Sequence, residues 1–222
     1  MVTIHHVKDY LELSKTVASL VAIPISSGRP CNIGTPTGGT PIGMYKELVS
    51  KNLNWSAVNT FNLDEYVGIS NNHSQRYHHF MRENLHSHIT ISDDHIHFPD
   101  ENYDSKIDTY GGLDVTILGI GSNGHIAFNE PWSTFESKTR TVQLTEKTIV
   151  DNSRFFNSIE EVPTQAITMG LSTIMKSRQI ILMASGQTKW DILKRAMWGE
   201  VTEEVPASIL QDHTNLKVFY CD

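Results

Sequence analysis

The most informative stretch of the chain is residues 119–131, GIGSNGHIAFNEP, which follows the apolar run at residues 113–118. It places His125 and Glu130 five residues apart, and Pro131 prevents the segment from forming a long helix. An imidazole and a carboxylate just beyond a parallel strand are groups that α/β enzymes use for general acid–base chemistry. The segment is therefore a candidate active site.

The same letters also fit a dinucleotide-binding fingerprint, with glycines at positions 119, 121 and 124. That fingerprint needs a helix opening at its last glycine and an acidic residue about 20 positions further on. Pro131 follows too soon for such a helix, and residues 139–144 contain no carboxylate at a strand end. The pattern disfavours nucleotide binding.

Composition limits the functional classes. A chain of 222 residues with 39% apolar content predicts one globular domain, residues 1–222, with a substantial core. It has no apolar run approaching the roughly 18 residues of a membrane span, and its start lacks a secretory pattern. Two isolated cysteines, Cys31 and Cys221, favour a reducing cytoplasm. A net charge of −7 argues against nucleic-acid binding, so an anion ligand would need a locally positive site.

Seven of the eleven histidines lie between His73 and His97. A metal site is one interpretation. No cysteine joins them, however, and neither His-x-His pair has the i,i+4 spacing of two ligands on one helix face. Half-exposed positions on and after a helix explain them better, so no metal is expected.

Predicted strands and helices alternate along the chain. The pattern predicts strands at residues 31–34, 58–63, 113–119, 180–184 and 216–220, and helices at 9–21, 42–51, 74–85, 103–110 and 187–198. This βα order predicts an α/β fold, Rossmann-like, with a mostly parallel sheet flanked by helices on both faces. Ligands in such folds bind at the carboxyl ends of the strands.

The turn between the first of these strands and its helix resembles an anion site. Its glycines, Gly38 and Gly39, allow main-chain N–H groups to approach a ligand, and the helix N-terminus favours negative charge. Thr40 suits the N-cap and Pro41 the first helical position. An ordinary tight turn remains the alternative, and the Lys-Ser/Thr of a mononucleotide P-loop is absent.

Three charged residues complete the candidate site. Asp64 ends a predicted strand and can face the ligand crevice, whereas Glu65 should point to the opposite side. Lys189 follows another strand near the start of its helix, and Arg154 lies in a polar segment. Each has an ordinary alternative, a turn aspartate or a solvated surface cation, but two cations near the loop would supply local positive charge.

With these residues identified, the chain resembles the glucosamine-6-phosphate deaminase (glucosamine-6-phosphate isomerase) family nearly from end to end. The resemblance rests on seven motifs in order: TPTGGTPIGMY, FNLDEYVG, LGIGSNGHIAFNEP, NSRFF, AITMGLSTIM, ASGQTK and PASILQDH. It implies a metal-independent and cofactor-free conversion of D-glucosamine 6-phosphate and water into D-fructose 6-phosphate and ammonia.

The resemblance also implies a role for each candidate residue. Asp64 would move a proton between C2 and C1, and His125 would open the sugar ring with support from Asn123 and Glu130. The phosphate would be bound by Thr37, Gly38, Gly39, Thr40, Arg154 and Lys189.

Two departures from the family pattern bear on mechanism and control. Asn123 stands where some members have Asp, so Glu130 should carry more of the electrostatic support for His125. Some members have an allosteric site built from Ser, Arg and Lys; this chain keeps Ser133 and Arg140 but has Val142 at the Lys position. An unregulated enzyme is expected.

The chain length favours a monomer and leaves a homo-oligomer open, and residues 144–163 are a candidate mobile lid.

Two rival functions remain at this stage. A 6-phosphogluconolactonase shares the fold type and a phosphate site, but its hydrolysis has no use for Asp64 in an FNLDEY context. A non-catalytic sugar-phosphate sensor would leave Asp64, His125 and Glu130 without a purpose, and such sensors normally carry a helix-turn-helix at one end.

Overall fold

A computed structural model describes residues 2–222 of the chain. Its strands are β1 (Ile4–His6), β2 (Cys31–Thr35), β3 (Val58–Asn62), β4 (Asp64–Tyr66), β5 (Ile96–His97), β6 (Val115–Leu118), β7 (Arg140–Gln143), β8 (Gln165–Thr168), β9 (Ile180–Ser185) and β10 (Leu216–Cys221). Its α-helices are α1 (Tyr10–Ser26), α2 (Ile42–Ser50), α3 (Tyr77–Asn84), α4 (Tyr103–Thr109), α5 (Glu146–Ser153), α6 (Leu171–Met175) and α7 (Trp190–Trp198).

Seven strands form the main sheet in the order β1-β10-β9-β6-β2-β3-β5. Every neighbouring pair in it is parallel, so the carboxyl ends of all seven strands lie at one edge. Thr35 at the end of β2 is opposite Asn62 at the end of β3, and Leu118 at the end of β6 is opposite Leu182. The loops that follow these strands are thereby brought together.

Both faces of the main sheet are covered, as alternation along β9 illustrates. Ile180 and Leu182 pack with residues of α4, α6 and α7, whereas Ile181 and Met183 pack with residues of α1, α2 and α3. These side chains are fully buried, as expected for a parallel sheet with helices on both sides. Truncating one of them to alanine would cost about 2–5 kcal/mol of stability.

A second sheet, antiparallel and in the order β4-β8-β7, lies beyond the end of β3. Leu63 joins the two sheets, because its N–H donates to Thr35 O at 3.3 Å and its carbonyl accepts from Met169 N–H at 2.7 Å. Asp64 is therefore a strand residue opposite Thr168. The expectation that Asp64 simply ends the β3 strand was wrong, because the chain passes directly into another sheet.

The predicted α/β fold is confirmed, and each predicted strand and helix is present with its ends shifted by a few residues. The predicted N-cap of α2 was wrong by one residue: Pro41 is the N-cap, Ile42 begins the helix, and no side chain of its own caps it. Within residues 2–222, none of the helices is long and apolar enough to cross a membrane.

Candidate active site

A cavity of about 420 Å³ opens at the carboxyl edge of the main sheet. Asp64 and His125 both lie on its wall, and so do all six residues predicted to bind phosphate: Thr37, Gly38, Gly39, Thr40, Arg154 and Lys189. Asn123 and Glu130 lie behind His125 rather than on the wall. The candidate residues, which are scattered along the chain, are thus brought to one site.

One end of the cavity is suited to an anion. Within residues 2–222, no protein acceptor takes the N–H groups of Gly38, Gly39 and Thr40, which leaves these donors available to a ligand. Lys189 is half-buried in a short 3₁₀ turn before α7, and its burial lowers the pKa of its ammonium, opposed by the charge of Asp151. Arg154 is exposed, with its guanidinium 4.7 Å from the Phe155 ring centroid.

Asp64 is buried without a hydrogen-bond donor: within residues 2–222, no protein group donates to its carboxylate. Burial raises its pKa to about 8, and the negative charge of Glu65 adds to this rise. Glu65 points away from the cavity and accepts from the N–H groups of Tyr77 and His78 at the start of α3. A carboxylate with few partners and a pKa near neutrality is suited to accept a proton.

His125 belongs to a hydrogen-bonded chain of three side chains. Its Nδ1 lies 2.7 Å from Asn123 Oδ1, and Asn123 Nδ2 donates to Glu130 Oε2 at 2.7 Å. Because a carboxylate can only accept, the amide must present its NH₂ to Glu130 and its oxygen to His125. Nδ1 then carries the ring proton, and neutral His125 has an unprotonated Nε2 available to a ligand.

Glu130 is held ionised by its partners. Burial opposes ionisation, but the neighbouring His125 and hydrogen bonds from Thr148 and Asn123 lower its pKa to about 2. The Nδ1 of His125 is 3.6 Å from Glu130 Oε2, too far for a hydrogen bond but close enough for an ion pair when the imidazole is protonated. Asn123 thus connects the two groups, and the charge of Glu130 remains near enough to stabilise an imidazolium.

The backbone of residues 119–131 explains its glycines. The N–H of Gly121 donates to the carbonyl of His125 at 2.9 Å, and a Cβ at Gly121 would lie 2.2 Å from the imidazole. Gly124 has a φ of +86°, and a Cβ there would meet Val205 at 2.7 Å. No helix begins at Gly124; the next one, α5, starts at Glu146. Gly121 and Gly124 serve the packing of the loop, and the dinucleotide interpretation is excluded.

The clustered histidines have separate environments. His78 stacks on Phe98 with ring centroids 3.4 Å apart, and His86 Nε2 lies 3.2 Å from Thr60 Oγ1. Among residues 2–222, no group of three or more His, Cys, Asp or Glu side chains is arranged to hold a metal.

Sequence reasoning missed the contribution of α5 to the site. Thr148, Asp151 and Asn152 lie on the cavity wall, and the Thr148 hydroxyl donates to Glu130 Oε1. Their i, i+3, i+4 spacing on a helix leading to Arg154 was the available signal. The segment was instead interpreted as polar and, over residues 144–163, as a candidate mobile lid.

The sequence model of the family described as glucosamine-6-phosphate isomerases/6-phosphogluconolactonase matches residues 10–219. The chain belongs to this family. The match covers the loop predicted to bind phosphate (residues 37–40, hereafter the anion loop), every candidate site residue, and both sheets except β1 and the end of β10.

Relatives within the family are similar over nearly their whole length. A glucosamine-6-phosphate deaminase of Clostridium acetobutylicum is 46% identical, over 96% of this chain and 94% of that protein. One of Thermoanaerobacter pseudethanolicus is 45% identical, over 95% and 88%. Both relatives are named as deaminases rather than as 6-phosphogluconolactonases.

Solved structures agree with the fold. A structure described as a monomeric glucosamine-6-phosphate deaminase superposes with a TM-score of 0.95 and 36% identity, covering 99% of this chain and 97% of the other. A 6-phosphogluconolactonase of Thermotoga maritima gives a TM-score of 0.79 at 16% identity, covering 100% and 99%. The second match shows the shared fold alone.

Proposed function

We propose that this protein is a glucosamine-6-phosphate deaminase, which converts D-glucosamine 6-phosphate and water into D-fructose 6-phosphate and ammonia without a metal or cofactor. The observation that carries the proposal is the single cavity shared by Asp64, His125 and a loop of free N–H groups. The deaminases at 45–46% identity support the same reaction.

His125 opens the sugar ring. Its unprotonated Nε2 takes the proton of the anomeric hydroxyl and returns it to the ring oxygen as the C1–O5 bond breaks, which leaves an aldehyde at C1. Asn123 orients the imidazole, and the buried charge of Glu130 stabilises its cationic form.

Asp64 then moves the carbon-bound proton. Its carboxylate takes the proton from C2 while the substrate's ammonium gives a proton to O1, so that an enolamine forms. Asp64 then delivers its proton to C1, which leaves an iminium at C2 and a hydroxyl at C1. Water adds to C2, one of its protons passes to nitrogen, and the C–N bond breaks as the remaining hydroxyl proton goes to the departing ammonia and the C2 carbonyl forms. Asp64 is held by the backbone of β4, so one base can serve both carbons without moving far.

The anion loop and two cations explain how a small sugar is oriented. The N–H groups of residues 38–40 and the cations Lys189 and Arg154 bind the phosphate at the end of the cavity. Phosphate binding is remote from C1 and C2, so its energy orients the reacting carbons instead of changing their reactivity.

Several features of the protein belong to the same proposal. The chain forms one domain over residues 1–222, with residues 144–163 as a mobile lid that carries Arg154. It acts as a cytoplasmic monomer. It has no allosteric activator, because Arg140 already donates to Asn129 Oδ1 and Ser133 Oγ and Val142 supplies no third polar group. One deaminase of known structure is described as monomeric.

An assay of both products tests the function. Purified protein is incubated with glucosamine 6-phosphate, and ammonia and fructose 6-phosphate are measured separately; equal amounts of the two are expected. The same protein is assayed for hydrolysis of 6-phosphogluconolactone, for which no activity above background is expected. Folded protein that releases neither product, or that hydrolyses the lactone instead, would refute the deaminase function.

A further inference from the structure

Tyr10, the first residue of α1, reaches the anion loop from a distant part of the chain. Its hydroxyl lies 2.9 Å from Thr40 O and 3.2 Å from Gly39 O, and it accepts the N–H of Gly43 at 2.9 Å. Tyr10 is 38% exposed and lies outside the cavity wall. The Tyr10 hydroxyl thus contacts Gly39 and Thr40 in the anion loop and Gly43 in the first turn of α2.

The start of α2 depends on this contact. Its N-cap, Pro41, provides no side-chain hydrogen bond, so the first-turn N–H of Gly43 is satisfied by Tyr10 instead. Gly43 leaves room for this approach, because a Cβ there would lie 3.0 Å from the Tyr10 ring and 2.2 Å from Ser14 Oγ. The two helices therefore meet closely beside the anion loop.

The Gly39 carbonyl accepts from the Tyr10 hydroxyl at 3.2 Å and from the N–H of Ile42 at 3.4 Å, and these contacts set the orientation of the Gly39–Thr40 peptide. In a planar trans peptide, the C=O and the N–H point in opposite directions. Because the Gly39 carbonyl faces Tyr10, the Thr40 N–H of the same peptide faces the other way, and Thr40 lines the cavity. A rotation of this peptide would present a carbonyl oxygen to the phosphate and repel it.

We infer that Tyr10 is a positioning residue for phosphate recognition: its hydroxyl holds the Gly39–Thr40 peptide so that the Thr40 N–H faces the anion. It touches neither the substrate nor the reacting carbons. This inference rests on the proposed sugar-phosphate function. It assigns a role to α1, which supplies no residue to the cavity wall.

The test is Tyr10→Phe, which keeps the ring and its packing and removes only the hydroxyl. Calorimetric titration with inorganic phosphate should show binding weakened by about tenfold, the size of one charge-assisted hydrogen bond. KM for glucosamine 6-phosphate should rise by a similar factor, while kcat stays within about twofold because Asp64 and His125 are undisturbed. The increase in Tm on adding phosphate should also shrink.

Ser14→Ala is the matched control. Ser14 donates its hydroxyl to the Tyr10 carbonyl at 2.8 Å and packs beside Gly43, yet it makes no hydrogen bond with residues 37–40. This variant should bind phosphate as the wild type does, even if its Tm falls.

A purely structural role for Tyr10 gives a different result. If Tyr10→Phe lowers Tm but leaves phosphate affinity and KM unchanged, the inference is overturned. Lack of ammonia release by the wild type would refute the proposed reaction alone, because phosphate titration tests Tyr10 independently. A wild-type protein that binds no phosphate would overturn both.

Discussion

Asp64 and Glu130 provide an instructive comparison, because each is 7% exposed and yet their pKa values move in opposite directions. Burial raises the pKa of Asp64 to about 8, and Glu65 adds to the rise. Glu130 is buried too, but His125, Thr148 and Asn123 lower its pKa to about 2. Hydrogen-bond donors and charge, rather than depth, therefore decide which carboxylate accepts a proton and which remains an anion.

The largest effect is expected from Asp64→Asn, which removes the proposed base. The kcat should fall about 10³–10⁴-fold, and exchange of the C2 proton with solvent, followed by NMR in D₂O, should stop. Phosphate binding should survive, because the anion loop is separate. Asp93→Asn, at an 86% exposed side chain, is the control and should behave as the wild type. Continued C2 exchange would assign the base elsewhere.

Asp64→Asn should also stabilise the fold. A folded-state pKa of about 8 means that the native protein holds this proton more tightly than the unfolded chain does, so stability falls as pH rises from about 4 to about 8. The variant lacks this penalty. Its advantage in Tm over the wild type should be small at pH 4 and large at pH 8, and the reverse trend would show that Asp64 is not destabilised by burial.

Removing the negative charge of Glu130 tests the carboxylate that stays ionised. Glu130→Gln keeps the shape but no longer stabilises cationic His125, so kcat should fall about 10–100-fold with a smaller change in KM. Steady-state kinetics would measure this loss. Glu136→Gln, at an exposed position in the following loop, serves as the control. An unchanged kcat would mean that Asn123 alone supports the imidazole.

The pH profile of the wild type follows from the raised pKa of Asp64. The base must be ionised, so kcat/KM should rise with pH and level off above about 8. Below this inflection, the rate should fall by about tenfold for each pH unit as Asp64 becomes protonated. A plateau extending down to pH 6 would contradict the raised pKa.

The smallest effect is expected from Thr148→Val, which removes one donor from Glu130 without removing its charge. The pKa of Glu130 should rise but stay below neutrality, and kcat should fall by about threefold to tenfold. Thr148→Ser keeps the hydroxyl and should restore activity. If the serine variant is as slow as the valine variant, packing of the methyl group explains the loss instead.

Much of this arrangement could be predicted from local sequence. The apolar strands and their βα alternation gave the parallel sheet, and strand ends indicated the anion loop, Asp64 and the His125 loop. The second sheet escaped prediction because β7 and β8 are half polar and pair across a long loop, with Arg140 opposite Thr168. Local patterns carry no information about such pairing.

The missed contacts in the site have the same origin. Thr148 meets Glu130 from a helix 18 residues away, and Tyr10 meets Gly39 across 29 residues. Thr148 offered only its helical spacing to Asp151 and Asn152, and Tyr10 belongs to no chemical motif. Their partners became evident only when the packing of α5 and α1 was known.

Leu63 has a consequence for the size of the substrate. Its two main-chain hydrogen bonds tie the strand leading to the anion loop to the sheet that carries the base. The main chain therefore fixes the distance between the anion loop and Asp64. A substrate must therefore carry its phosphate and its reacting carbons at one set separation to contact both at once.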